Sequence, residues 1–240
     1  VFIILLLGCD QGSFTIPVDP EPSSSFMPLS IGAFWTYKMD SIIYDPEPTG
    51  IVRDTIQEEV RLEIVDTLDS SDSGTTYVVE RYTRNSDTTK WRIRDVWSFK
   101  KDRYRFIATE ENIPYIKLMF PLDLGTSWDG NTFIDEDEVK VKIRGEELDM
   151  FKFWSDYRVT DRMPTDSILS KAYQDVITVE HADREILIEK RLSLEKYAKD
   201  VGMIYKKLEI LDTQNIDTDI SFYDRAQRGF ILEMWLIDHQ

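Results

Sequence analysis

Glu59-Val60-Arg61-Leu62-Glu63-Ile64 places an aliphatic side chain at every second position with a charge between. That is the period of a strand with one buried and one wet face; a helix would return apolar residues every third or fourth position. The same period recurs outward from this stretch. Trp91, Ile93, Trp97 and Phe99 share one parity, with Lys90, Arg92 and Arg94 on the other; Val139, Val141 and Ile143 alternate with Lys140, Lys142 and Arg144. Phe230 to Ile237, broken only by Glu233, is apolar on both parities and reads as a central strand, and Ile186-Leu187-Ile188 has the same character. Turn residues punctuate the runs: Asp69 to Gly74, Asn85-Ser86-Asp87, and Asp129-Gly130-Asn131, the last suited to a tight hairpin. Pro164-Thr165-Asp166 offers a helix start running through Ala172, and Gly145 to Tyr157 fits either a helix or a strand. The expectation is a mainly β fold, an antiparallel sandwich or half-open barrel with at most one or two short helices.

An internal repeat supports it. Pro28-Leu29-Ser30-Ile31-Gly32-Ala33-Phe34-Trp35 matches Pro121-Leu122-Asp123-Leu124-Gly125-Thr126-Ser127-Trp128, in the form Pro-Leu-x-aliphatic-Gly-x-x-Trp. Val201-Gly202-Met203-Ile204-Tyr205 is a weaker third copy. Physically this is a strand start: Pro blocks pairing, Gly permits positive φ or close approach, and the aromatic plugs the core. The repeat divides the body 26–240 into two duplicated units, 26–118 and 119–240, within one domain.

Composition narrows function. The 240 residues carry 45 Asp plus Glu against 29 Lys plus Arg, a net charge of −16, with one Cys and two His. Phosphate backbones and anionic lipids repel such a chain, so nucleic-acid partners are not expected. One Cys allows no internal disulfide and none of the multi-cysteine zinc sites, and a two-histidine metal site would need His181 and His239 to converge.

The N-terminus is the most specific stretch. Residues 1–8, Val-Phe-Ile-Ile-Leu-Leu-Leu-Gly, are too few to span a bilayer and read as the remnant of a signal peptide. Leu6-Leu7-Gly8-Cys9 resembles a lipobox. The resemblance implies cleavage before Cys9, a diacylglycerol (a palmitate-type anchor) on its sulfur and an acyl chain on its amine. Residues 9–25, with Pro17, Pro20, Pro22 and the run Ser23-Ser24-Ser25, make a tether reaching about 50 Å at full extension. Together with Arg81-Tyr82-Thr83-Arg84, Phe120-Pro121-Leu122, Trp128-Asp129-Gly130-Asn131 and Tyr197 to Gly202, the lipobox and repeat resemble the uncharacterised β-rich lipoproteins of the Bacteroidota. That resemblance implies a cell-envelope location, usually the outer membrane, and no activity.

Catalytic signatures are missing. No phosphate-binding Gly loop and no Gly-x-Ser-x-Gly elbow occurs, and a Ser-His-Asp triad would have to recruit His181, which reads as a strand end, or the near-terminal His239. Carboxylate pairs remain: glycan hydrolysis needs only two acids, and 45 acidic residues offer too many pairs to choose from. Trp91, Trp97 and Trp128 could stack on sugar faces if exposed; core packing is the competing reading. Asp135 and Asp137, in the run Asp135-Glu136-Asp137-Glu138, are candidate calcium ligands, against a solvated hairpin arm; no other cofactor is expected. The reading is a lipid-anchored envelope protein, non-catalytic, binding a ligand or partner. A carboxylate-dependent glycan hydrolase and a structural subunit of an envelope complex are the alternatives.

Overall fold

The computed structural model describes residues 23–48, 50–71, 74–152, 154 and 156–240. Cys9, the signal-peptide remnant and most of the tether lie outside the described residues. The body is almost entirely strand. A 3-10 turn (Ser23–Phe26) leads into β1 (Phe34–Glu47), β2 (Gly50–Ser71), β3 (Gly74–Arg84), β4 (Arg92–Lys101), β5 (Arg105–Glu110) and β6 (Ile113–Met119). Then follow β7 (Ser127–Trp128), β8 (Lys140–Ile143), β9 (Glu146–Asp149), β10 (Tyr157–Ile168), β11 (Lys171–Glu185), β12 (Glu189–Ala198) and β13 (Gly202–Asp212). A four-residue helix, α1 (Phe222–Arg225), precedes β14 (Arg228–His239).

Twelve strands form one antiparallel sheet in the order β6-β5-β4-β3-β2-β1-β14-β13-β12-β11-β10-β7, curled into a nearly closed barrel. The two edges meet at one point. The Ile116 N–H donates to Gly130 O at 2.9 Å, and the Trp128 indole N–H donates to Ile116 O at 2.7 Å. β8 and β9 pair separately as a hairpin.

The repeated octapeptide folds the same way twice. Gly32 and Gly125 both have φ of 87°. The Gly32 N–H donates to Ile64 O and the Ile64 N–H to Ala33 O; the Gly125 N–H donates to Val159 O and the Val159 N–H to Thr126 O, all at 2.8–2.9 Å. Each motif therefore staples its turn to the following long strand, β2 or β10. The weaker third copy serves the first: Trp35 Nε1 donates to Val201 O at 2.6 Å. A Cβ on Gly202 would sit 2.9 Å from that indole nitrogen, so the close approach requires glycine.

Because successive strands are antiparallel, the turns sort to two ends. The near end carries residues 23–33, the end of β2 and start of β3, and the turns around 102–104, 120–126, 169–170 and 199–201. The far end carries the end of β1 and start of β2, the turns around 85–91, 111–112 and 186–188, the described residues of the excursion between β7 and β10, and the segment 213–227. The main core lies inside the barrel and centres on Trp35, Tyr37, Ile64, Val79, Leu118, Trp128, Tyr157, Ile177 and Leu236. The excursion plugs the far end: Leu148, Val141, Ile143 and Met150 pack on Leu208, Ile210, Phe230 and Leu232. The α1 segment covers another part of the sheet, where Phe222 and Ala226 meet Tyr44 and Leu211.

Several local expectations are corrected. No helix forms over Pro164 to Ala172; the stretch is the β10–β11 hairpin, with Ile168 paired to Lys171 and Thr165 to Gln174. Continuous pairing with β11 outweighs a local capping signal, and Pro164 is accommodated because β10 is nearly an edge strand, pairing β7 only at Tyr157 and Arg158. Ile186-Leu187-Ile188 is the β11–β12 turn rather than part of a strand. Asp129-Gly130-Asn131 does not close a hairpin on β7: no returning strand pairs there. The shared parity of Trp91, Ile93, Trp97 and Phe99 is broken by a bulge at Arg94, since Arg81 pairs Asp95 while Tyr82 pairs Ile93. Trp97 and Phe99 face the core, and Ile93 is exposed. His181 lies inside β11, not at a strand end. Within Gly145 to Tyr157, β9 covers Glu146–Asp149 and β10 begins at Tyr157.

Candidate functional site

The chemistry-bearing cluster lies inside the barrel. β12 presents Glu189, Arg191, Ser193, Glu195 and Tyr197 inward, all buried, while Leu192 and Leu194 are half-exposed on the outer side. Polarity is inverted relative to an ordinary one-sided strand. From the opposite wall β5 and β6 supply Glu110 and Lys117, and β13 supplies Lys206. Lys117 Nζ lies 2.9 Å from Glu195 Oε1 and 3.2 Å from Glu110 Oε1. Lys206 Nζ lies 3.2 Å from Glu195 Oε1 and 3.4 Å from Glu110 Oε2. Two cations and two anions thus alternate around a ring.

The surrounding groups complete it. The Tyr197 hydroxyl donates to Glu195 Oε2 at 2.6 Å. His181 Nδ1 lies 3.0 Å from Ser193 Oγ, and its Nε2 is 3.7 Å from Glu195 Oε2 without a hydrogen bond. The Tyr157 ring stacks on His181 with centroids 4.0 Å apart, and Trp154 and Phe151 continue the aromatic layer toward the excursion. Further along β12, Arg191 Nη1 donates to Asp212 Oδ1 at 2.9 Å.

Burial in low dielectric disfavours every charged form here, so the sign of each pKa shift shows which partner prevails. For Glu195 burial alone would raise the pKa; Lys117 and Lys206 overcome it and hold the carboxyl well below the usual range. Glu110 is lowered in the same way by Lys117 and Lys206 against burial. Burial would lower the Lys117 pKa, yet Glu110 and Glu195 drive it upward. His181 goes the other way: burial pulls it down to about 3, against the opposing pull of Glu195, so the imidazole is neutral. The cluster is a doubly compensated ion ring with a neutral histidine beside it.

The cavity among these groups is about 40 Å³, lined on its apolar side by Met27, Leu62, Phe99 and Met234. At ~10–15 Å³ per water it has room for about three waters. A sugar or a peptide side chain does not fit. Among the described residues no three His, Cys, Asp or Glu side chains converge as a metal centre requires.

The residues singled out from sequence lie elsewhere and apart. Trp91 precedes β4, half-buried, with the Arg84 guanidinium 4.4 Å over its ring. Trp97 lines the cavity beneath Arg81, and its Nε1 has no partner. Trp128 is buried in β7. No ring contact joins any two of the three. Asp135 and Asp137 belong to the exposed turn before β8. Beside that turn runs an open groove of about 390 Å³, lined by Glu136, Asp137, Lys140, Asp149, Phe151, Lys152 and Trp154. Sequence reading missed Glu110, Lys117, Glu195 and Lys206. A signal existed for one of them: Lys117 is the lone charge in the run Tyr115-Ile116-Lys117-Leu118-Met119.

No family model matches the chain, and no curated protein matches it. Among solved structures the chain is similar to the crystal structure of a candidate lipoprotein from Parabacteroides distasonis, at 14% identity and a TM-score of 0.44, covering 90% of this chain and 98% of that one.

Proposed function

We propose that the protein is a lipid-anchored lipoprotein of the cell envelope, at the outer membrane, and that it acts through its outer surface as a non-catalytic binding or assembly module. The observation that carries the second half is the filled barrel. Its interior charges neutralise one another, and among the described residues the cavity they surround is about 40 Å³. A barrel that carried a ligand inside would need a cavity of about 300 Å³ or more. The first half rests on Leu6-Leu7-Gly8-Cys9 and the Pro/Ser tether. Two or more acyl chains on Cys9 would give stable anchoring, at about 0.8 kcal/mol per buried methylene.

Cys9→Ser is the test of anchoring. The variant is expected in the soluble fraction of lysed cells and the parent in the membrane fraction; a variant that still sediments with membranes contradicts the anchor. A mild-detergent pull-down of the lipidated protein then separates an assembly subunit, which brings a stoichiometric protein partner, from a ligand or glycan binder, which comes alone.

The groove beside Trp154 supports the second reading, a carboxylate-dependent glycan hydrolase. Its weakness is chemical. A glycosidase needs one acid with a raised pKa. Asp149 is held low instead, by its hydrogen bond from Lys140. Among the described residues, the carboxylates whose pKa leaves the ordinary range all move downward. Turnover of an envelope or dietary polysaccharide, lost in Asp137→Asn or Asp149→Asn, would establish the hydrolase over the binding module.

A further inference from the structure

The near end of the barrel carries exposed aliphatic side chains in duplicate. Ile31 and Leu124 occupy the same place in the repeated octapeptide, just before the positive-φ glycine, and are 60% and 67% exposed. Leu68 and Met163 each stand four residues beyond the stapled positions Ile64 and Val159, and are 71% and 38% exposed. The hairpins bearing them, β2–β3 and β10–β11, both turn at this end, where Tyr104 and Leu169 add exposed apolar surface. Packing explains none of these: each points away from a core that its neighbours fill. Each half thus presents an apolar side chain at both places.

The chain enters the barrel at this same end. Phe26 and Met27 are buried, the Asp200 N–H donates to Ser25 O at 2.9 Å, and Lys101 Nζ donates to Met27 O at 2.7 Å. By chain length, about 50 Å at most separates a lipid on Cys9 from this face. We infer that the near end is a lipid-docking face, which rests on the anchoring reading above, with Ile31, Leu124, Leu68 and Met163 entering the headgroup boundary of a zwitterionic bilayer. The short tether supplies a high effective concentration of membrane, so modest apolar contact suffices. The chain's net charge of −16 excludes an anionic lipid surface as the attractant.

The test uses the lipidated full chain in phosphatidylcholine–phosphatidylethanolamine vesicles. Cys9 is the sole cysteine and acylation blocks it, so single variants Leu124→Cys, Ile31→Cys and, at the far end, Ile216→Cys each accept one spin label. The expected result is loss of line broadening by a soluble nickel chelate at 31 and 124, with broadening by oxygen retained, and full nickel broadening at 216. Adding Ile31→Ser and Leu124→Ser to a label at Leu68→Cys should restore nickel access while the protein still sediments with vesicles. Equal nickel access at all three sites in an acylated protein overturns docking and leaves the anchor standing. A second label on Cys9, read by mass, means no acylation and overturns both.

Discussion

The two halves of the barrel begin with the same eight-residue motif, identical at Pro, Leu, Gly and Trp, and then diverge. β1 starts at Phe34, one residue before the motif's Trp35, runs for 14 residues and pairs along its length with β2 and β14. Its counterpart β7 starts at Ser127 and ends one residue later at Trp128, and the chain leaves for the excursion that begins at Asp129. The residues that follow explain the difference. Thr36-Tyr37-Lys38-Met39 continues an alternating strand; Asp129-Gly130-Asn131-Thr132 supplies turn-formers, and the Asn131 N–H is drawn to Asp129 Oδ1. One barrel edge is thus left nearly open, and the excursion fills the far end that a longer β7 would have walled. A duplicated motif sets where a strand starts; what comes next decides whether it persists.

The ion ring joins the halves, since Glu110 and Lys117 come from the first and Glu195 and Lys206 from the second. Breaking it should have the largest effect. Lys117→Met leaves two buried carboxylates with one cation, and we expect a loss of about 3–5 kcal/mol in denaturant unfolding. The excursion comes next. Leu148 is buried against Leu208 and Ile210, so Leu148→Ala should cost about 2–5 kcal/mol. The corresponding first-half turn is exposed, and Glu47→Ala should change stability by less than about 0.5 kcal/mol. Equal costs would mean that the excursion lies loosely on the barrel.

Acid should separate the halves as well, because both histidines lie in the second. The neutral His181 takes up no proton until about pH 3, whereas the unfolded chain protonates near 6.5. The unfolded state binds more protons in between, so stability is complete above pH 6.5 and falls as pH drops toward 3, by a few kcal/mol. Between pH 6.5 and 4.5 the loss belongs to His181, with a smaller part from His239, which burial also lowers. Below about 4.5 Glu110 and Glu195, held low by their lysines, add to it. His181→Phe keeps a ring against Tyr157 and should flatten the upper part of the profile; an unchanged slope would place the titration elsewhere. A smaller effect than these should be the most symmetric. Gly32→Ala and Gly125→Ala meet no atom within 4 Å, so each costs only the backbone penalty of positive φ, about 1 kcal/mol.

Much of this was legible in the chain. Val60, Leu62 and Ile64 give the β class, and the octapeptide repeat marks the two strand starts. The ion ring was hidden for a physical reason. Alternation reports which residues differ, not which face is inside, and along β12 it would bury Leu192 and Leu194 when Arg191, Ser193 and Glu195 go in. Charges enter a core only when partners arrive from distant strands: Lys117 and Glu195 are 78 positions apart. The parity of β4 failed for a related reason, because the bulge at Arg94 is set by its pairing with β3.

The claim that the interior is a closed core, leaving function to the surface, is tested most directly by a double-mutant cycle on Lys117→Met and Glu195→Gln. If the ring is shielded from bulk solvent and compensated, each single variant is costly, and the neutral pair recovers much of the loss, with a coupling of about 1.5 kcal/mol or more. Small and additive losses would mean that water screens these charges, and would contradict a filled barrel.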